Sequence, residues 1–206
     1  MHKIKYFFQQ SWLLIVASFF FGLLIAAANA AWQGKILQNE QDKFNNLARQ
    51  MLPDANSFVT ALENVEVDMG KGKKILISVK KALAGDGTCV GWAFKCQGPG
   101  FADTIKLVLA IDANFERIKG FGVLSSNETP GFGDQIKLPY YRDQFIGAPA
   151  EKLVLSRTGD SKKIDSEIVA ISGATISSEA VVHIINTFLP QVKKQVQTKG
   201  LLGNGG

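Results

Sequence analysis

Small and hydroxyl-bearing side chains crowd the run Ser172-Gly173-Ala174-Thr175-Ile176-Ser177-Ser178, and behind it apolar residues recur at Val181, Ile184, Ile185, Phe188 and Val192. That three-to-four-residue spacing predicts a helix from Ser177 onward, with Ser177 or Ser178 as its N-cap. Thr175 then stands just before a helix N-terminus, where unpaired N–H groups and the positive end of the helix dipole favour an anion. Gly173 and Ala174 leave the backbone open to close approach. The chemistry open to such a run is to hold a phosphate, by hydrogen bonds or as an ester on the Thr175 hydroxyl. Taken alone, the run also reads as an ordinary capped helix start.

A second stretch, 125–133, breaks away from regular structure. Within it Glu128-Thr129-Pro130-Gly131-Phe132-Gly133 places a residue without a backbone donor beside two that tolerate positive φ. Such a loop can close over a flat ligand, or simply connect a sheet to a helix. Ser-Gly-Ala-Thr before a helix resembles the flavinylation motif Asp-x-x-(Ser/Thr)-Gly-Ala-Thr, in which the last threonine carries FMN through a phosphoester. Residues 128–133 resemble the Glu-Thr-Pro-Gly-x-Gly segment of the same family. With both blocks in this order, residues 35–196 are similar to the G subunit of the Rnf complex, and to its relative, the C subunit of the Na+-translocating NADH:quinone reductase. Val169 stands where the motif has its leading acid, and the nearest carboxylates are Asp165 and Glu167.

The resemblance implies FMN esterified to Thr175, with Ser172, Gly173, Ala174, Ile176 and Ser177 around the phosphate. It also implies that Glu128, Thr129, Pro130, Gly131, Phe132 and Gly133 pack against the flavin, Phe132 nearest the ring. The implied function is that of a membrane-anchored electron-transfer subunit, without a catalytic side chain of its own. The complex would couple ferredoxin:NAD electron transfer to Na+ or H+ translocation. The implied partners are other membrane subunits, a flavin transferase for maturation, and membrane lipid. The soluble domain would lie on the periplasmic or extracellular side of the cytoplasmic membrane. Two other readings stay open: a stand-alone extracytoplasmic flavoprotein for electron transfer or redox sensing, and a non-redox anchored binding module.

Other function classes find little support. Gly-x-Ser-x-Gly is missing from the sequence, and His2 and His183 are the only histidines, so neither a hydrolase site nor a Cys/His metal site is supplied. A net charge of +5 is spread along the chain. The densest cluster, Lys71, Lys73, Lys74, Lys80 and Lys81, reads as a solvated hairpin, so nucleic acid is not an expected partner. Cys89 and Cys96 fall on one predicted strand, which would put them on opposite faces and about 23 Å apart, too far for a disulfide.

The elements that must position these residues follow from the pattern of the 206-residue chain. From Tyr6 to Gly34 no residue is charged, and Trp12 and Trp32 are twenty residues apart, about 30 Å along a helix, which is the thickness of a bilayer's hydrocarbon core. A retained membrane anchor is expected over 1–36. The competing reading is a signal peptide cleaved after Ala28-Asn29-Ala30. A connector helix is expected over 37–56, with Phe44, Leu47, Ala48, Met51 and Leu52 on its buried face and Pro53 as its stop. The FMN-binding domain would occupy 57–198, followed by a disordered tail at 199–206. Strands are predicted at 74–82, 88–96, 104–111 and 116–124, then a short helix at 140–146 and short strands at 153–156 and 167–171. The long helix after Thr175 should bend or end near Pro190. The fold class is α+β: one transmembrane helix, then a mainly antiparallel sheet with flanking helices.

Overall fold

The computed structural model describes residues 2–202, with side chains from residue 11 onward. The chain falls into two compact units, one reaching to Asp42 and the other beginning at Lys43. Helix α1, His2–Met51, runs through the boundary without a break, so the expected anchor and connector are one helix, ending five residues short of 56. Its segment Ser11–Met51 contains a window of mean hydropathy 2.3, none of it buried within the protein. Trp12, Phe19, Leu24 and Trp32 are all exposed. A surface this apolar on every side is costly in water and suits the interior of a bilayer.

In the second unit five strands form one antiparallel sheet in chain order: β1 Ser57–Asp68, β2 Lys74–Leu83, β3 Cys89–Pro99, β4 Thr104–Asp112 and β5 Ile118–Ser125. Strands β2 to β5 match the sequence expectation, and the Gly85-Asp86-Gly87 turn is closed by the Asp86 carboxylate, which accepts from the Thr88 N–H at 2.9 Å. Strand β1 is not among the expected elements. Its alternation is broken by register shifts at Thr60/Leu62 and Leu62/Val65 and by Asn64, whose φ is +53°. Those irregularities hide the period of two by which a strand is read.

The sheet is buried on both faces. Ile105, Leu107, Leu109 and Ile111 of β4 join one core, while Val108 and Ala110 join the other. The first core is covered by α3, Thr175–Thr198, whose Val181, Ile184, Ile185, Phe188 and Val192 are all buried as the spacing predicts. The second is covered by the last turns of α1 and the residue after it, where Phe44, Ala48 and Leu52 join Ala82, Ala93 and Ala110. Missing side chains make that approach possible: a Cβ on Gly122 would stand 2.8 Å from Leu47 Cδ2, and one on Gly91 2.7 Å from Leu52 Cδ2.

Three expectations are corrected. Of the bend or end expected near Pro190, the end is corrected: helix α3 continues to Thr198. Burial of Leu189, Val192 and Val196 offsets the ~3 kcal/mol that an interior proline costs a helix. Cys89 and Cys96 both belong with the first core, not with opposite faces. The pairing skips Val90 between Leu83↔Cys89 and Ala82↔Gly91, and that bulge reverses the alternation; both thiols are free. In the expected tail, Gly200 takes a φ of +64° and the Leu201 N–H donates back to Val196 O at 3.1 Å, closing the helix in a Schellman turn. Leu201 and Leu202 then pack against the core, and residues 203–206 lie outside the described residues.

The remaining elements brace the helix that carries Thr175. Helix α2, Pro139–Arg142, and the 3-10 turn Asp143–Phe145 supply Tyr141 and Phe145, which pack edge-on with Phe121. The Tyr141 hydroxyl donates to Ser178 O at 3.0 Å. Strands β6 Val154–Ser156 and β7 Glu167–Val169 pair in parallel. Three side-chain amides clasp backbone groups outside the sheet ladders: Gln144 on Val169, Asn186 on Leu153 and Gln191 on Asp68, each accepting the N–H and donating to the C=O of one residue.

Candidate functional site

Helix α3 starts earlier than expected. Thr175 is its first residue, and the N-cap is Ala174, which has no side chain to cap with. The two serines expected to cap it lie inside the first turn, both buried. Ser178 Oγ accepts from the Ile171 N–H and donates to Ala174 O, each at 3.0 Å, which folds 171–174 back on the helix. Ser177 Oγ donates to Glu128 Oε2. Gly173, at a φ of +78°, makes the turn that brings the chain into the helix. By position, the N–H groups of Thr175, Ile176 and Ser177 have no acceptor within the helix.

This bare helix end opens on a cleft of about 450 Å³, within the range of small-molecule sites. Gly173, Ala174, Thr175, Ile176 and Ser177 line it on one side, and Thr129, Phe132 and Gly133 on another. The two sequence blocks, one ending at Gly133 and the other beginning at Ser172, thus share one cavity. Thr175 is half-buried, whereas Phe132 and Ile176 are each more than half exposed. A phosphate ester with a flat apolar ring suits such a mouth: donors and a hydroxyl at the base, hydrocarbon at the sides.

The 129–132 segment is a turn in which the Phe132 N–H donates to Thr129 O at 3.2 Å, with Pro130 second and Gly131, at a φ of +77°, third. This is the residue pattern of a type II turn. Gln135 donates to Gly131 O and accepts from the Tyr140 hydroxyl, buttressing the loop from behind. Gly133 is buried against Ser177 and Glu128.

Four of the expected site residues stand apart from the cavity wall. Ser172, Pro130 and Gly131 are exposed and do not line it. Glu128 lies beneath it, 5% exposed. Its Oε2 accepts from the Ser177 hydroxyl and from the Phe101 N–H at 3.2 Å, and its Oε1 from the N–H groups of Ala102 at 3.0 Å and Asp103 at 3.4 Å. Burial pushes the Glu128 carboxyl upward, but the Ser177 hydroxyl and the three backbone donors outweigh it and hold the group below the usual carboxylate range. One lining residue escapes the sequence reading: Phe101, 62% exposed, on the turn between β3 and β4. An aromatic following Gly98-Pro99-Gly100 is the available signal. Among the described residues no group of three or more His, Cys, Asp or Glu could hold a metal, and His183 is exposed on α3.

Comparison with known proteins bears on this arrangement. Residues 100–189 match the model of the FMN-binding domain family. The chain is 33% identical over 163 residues to the G subunit of the ion-translocating oxidoreductase complex of Methanosarcina acetivorans, covering 79% of this chain and 81% of that protein. It is 31% identical over 192 residues to the G subunit of the Na(+)-translocating ferredoxin:NAD(+) oxidoreductase complex of Acetobacterium woodii, covering 88% and 89%. Among solved structures, NqrC of Shewanella oneidensis superposes with a TM-score of 0.54 at 21% identity, over 71% of this chain and 73% of that one. The C subunit of the Na(+)-translocating NADH-quinone reductase of Parabacteroides distasonis gives 0.52 at 19%, over 76% and 94%. These two likenesses establish a shared fold.

Proposed function

The chain belongs to the family formed by the G subunits of ion-translocating oxidoreductase complexes, and from that premise we propose that it is a membrane-anchored electron-transfer subunit whose FMN is esterified to Thr175. The observation that carries this reading is the α3 N-terminus: uncapped, opening on the cleft, with a hydroxyl on its first residue. An anion there gains the unpaired N–H groups of the first turn and the helix dipole. A phosphodiester retains one negative charge, so the same helix end stabilises it after the bond has formed.

FMN, when bound, supplies the redox chemistry. The chain's own residues hold and shelter it: the first turn of α3 takes the phosphate, and Phe132 and Ile176 offer apolar surface to the ring. A tether suits a relay, because the carrier stays in place between turnovers. Relatives are named for Na(+)- and proton-translocating ferredoxin:NAD(+) oxidoreductase complexes. By that likeness this subunit works beside other membrane subunits in a complex coupling ferredoxin:NAD electron transfer to Na+ or H+ movement, and a flavin transferase loads it. Purified full-length protein, coexpressed with such a transferase, should be yellow, with flavin absorption that survives denaturation and desalting. A colourless product would refute the reading.

We further propose that residues 1–36 are retained as a membrane anchor, with the 12–32 stretch of α1 as a single transmembrane span in lipid and the second unit on the periplasmic or extracellular side. The apolar run and its flanking tryptophans support this. Intact-mass measurement of membrane-extracted protein should include the residues before Ala31, and protease added to spheroplasts should digest the second unit. A mature N-terminus at Ala31, or protection of that unit, would overturn the corresponding half.

A further inference from the structure

One carboxylate ties together all the segments around the cleft. The hydrogen bonds of Glu128 reach the β3–β4 turn through Phe101, Ala102 and Asp103, and the first turn of α3 through Ser177. Glycines close it in: a Cβ on Gly100 would lie 2.4 Å from Glu128 Oε1, and one on Gly133 2.9 Å from Oε2. An ionised carboxylate offers about four acceptor sites and no donor. With four protein donors already converging on it, Glu128 has nothing left to offer a ligand.

Three of those four donors belong to the turn that carries Phe101, so the carboxylate fixes where that ring stands. Phe101 and Phe132 both line the cleft and both are more than half exposed. Two aromatic rings held out from the surface on braced loops form walls in place before a ligand arrives, which spares the ordering cost of binding.

Resting on the FMN reading above, we propose that Phe101 is a flavin-contacting residue of the cleft and that Glu128 is the positioning residue that holds it there, not a flavin ligand itself.

The test uses the full chain. Phe101→Trp, coexpressed with flavin transferase, places an indole at the wall, and an indole in contact with a flavin quenches its emission by electron transfer. Intact mass should show wild-type flavin content, while emission per flavin falls several-fold. Adding Glu128→Ala to Phe101→Trp frees the turn and should restore emission. Equal emission from Phe101→Trp and wild type, at equal loading, overturns the contact. In parallel, protein made without transferase is followed by hydrogen exchange. Glu128→Gln keeps the shape but sets an NH2 group against backbone donors, so the amides of Phe101, Ala102 and Asp103 should exchange faster than in wild type, and unchanged exchange overturns the positioning role. A wild type that never acquires flavin defeats the FMN reading and the contact with it, whereas the exchange measurement still decides what Glu128 does.

Discussion

Full-length protein carrying Thr175→Ala, coexpressed with a flavin transferase, is expected to fold as wild type does and to contain no covalent flavin. Thr175 is the first residue of α3, half-buried at the cleft, and the contacts that fix this helix end belong to its neighbours. Ser178 still ties Ala174 and Ile171, Ser177 still meets Glu128, and Tyr141 still reaches Ser178 O. Other hydroxyls nearby are poor substitutes: Ser177 is buried and already engaged, and Ser172 is not part of the cavity wall. Thr175→Ser keeps the oxygen and loses only a methyl group, so partial loading is expected. Intact mass reads all three proteins, wild type gaining FMN less one water. The assignment fails if the alanine variant gains that mass as well.

Gly133→Ala should damage the site through packing instead of chemistry. The added Cβ would stand 2.5 Å from Ser177 Oγ and 2.9 Å from Glu128 Cβ, both in buried residues that cannot swing into solvent. Overpacking of this kind costs ~1–3 kcal/mol. Relief requires the 128–133 loop and the start of α3 to move apart, which opens the cleft. Gly131→Ala is the informative control, because its φ of +77° is strained for alanine but nothing stands within 4 Å of the new carbon. In detergent-solubilised protein, thermal unfolding should fall by roughly 5 °C for Gly133→Ala, with flavin occupancy well below that of Gly131→Ala. Equal occupancy in the two variants would mean that the loop need not touch the helix.

The part of this molecule that can be read from sequence is the part governed by period. Strands β2 to β5 are apolar runs bounded by glycine, proline and aspartate turns, and the inward face of α3 repeats every three to four residues, so both are legible without coordinates even though a bulge in β3 reverses the face of Cys89. Strand β1 is not, because its bulges and the left-handed Asn64 break the alternation. The start of α3 differs from expectation for a related reason: Ser177 and Ser178 carry the side chains that favour caps, but tertiary partners claim both hydroxyls and the uncapped Ala174 takes the position. At the site, the two blocks can be matched to a family, yet the division of labour within them is invisible in the sequence. Glu128 reads as a polar residue ready for a ligand, and only the folded chain brings three amides from a distant turn onto it. Phe101 stands outside both blocks, in a turn whose place in the fold depends on pairing β3 with β4.

The amide clasp on β1 bears on how the protein avoids its own kind. As the first strand of the sheet, β1 would present a row of free donors and acceptors, a template on which another extended chain could grow. At Asp68, Gln191 takes both the N–H and the C=O, and Gln195 takes the C=O of Glu66. Two side chains from α3 thus imitate the missing neighbour at that end of the strand. On a membrane, where anchored copies diffuse in two dimensions and meet often, that end of the strand has fewer free groups to offer a second extended chain.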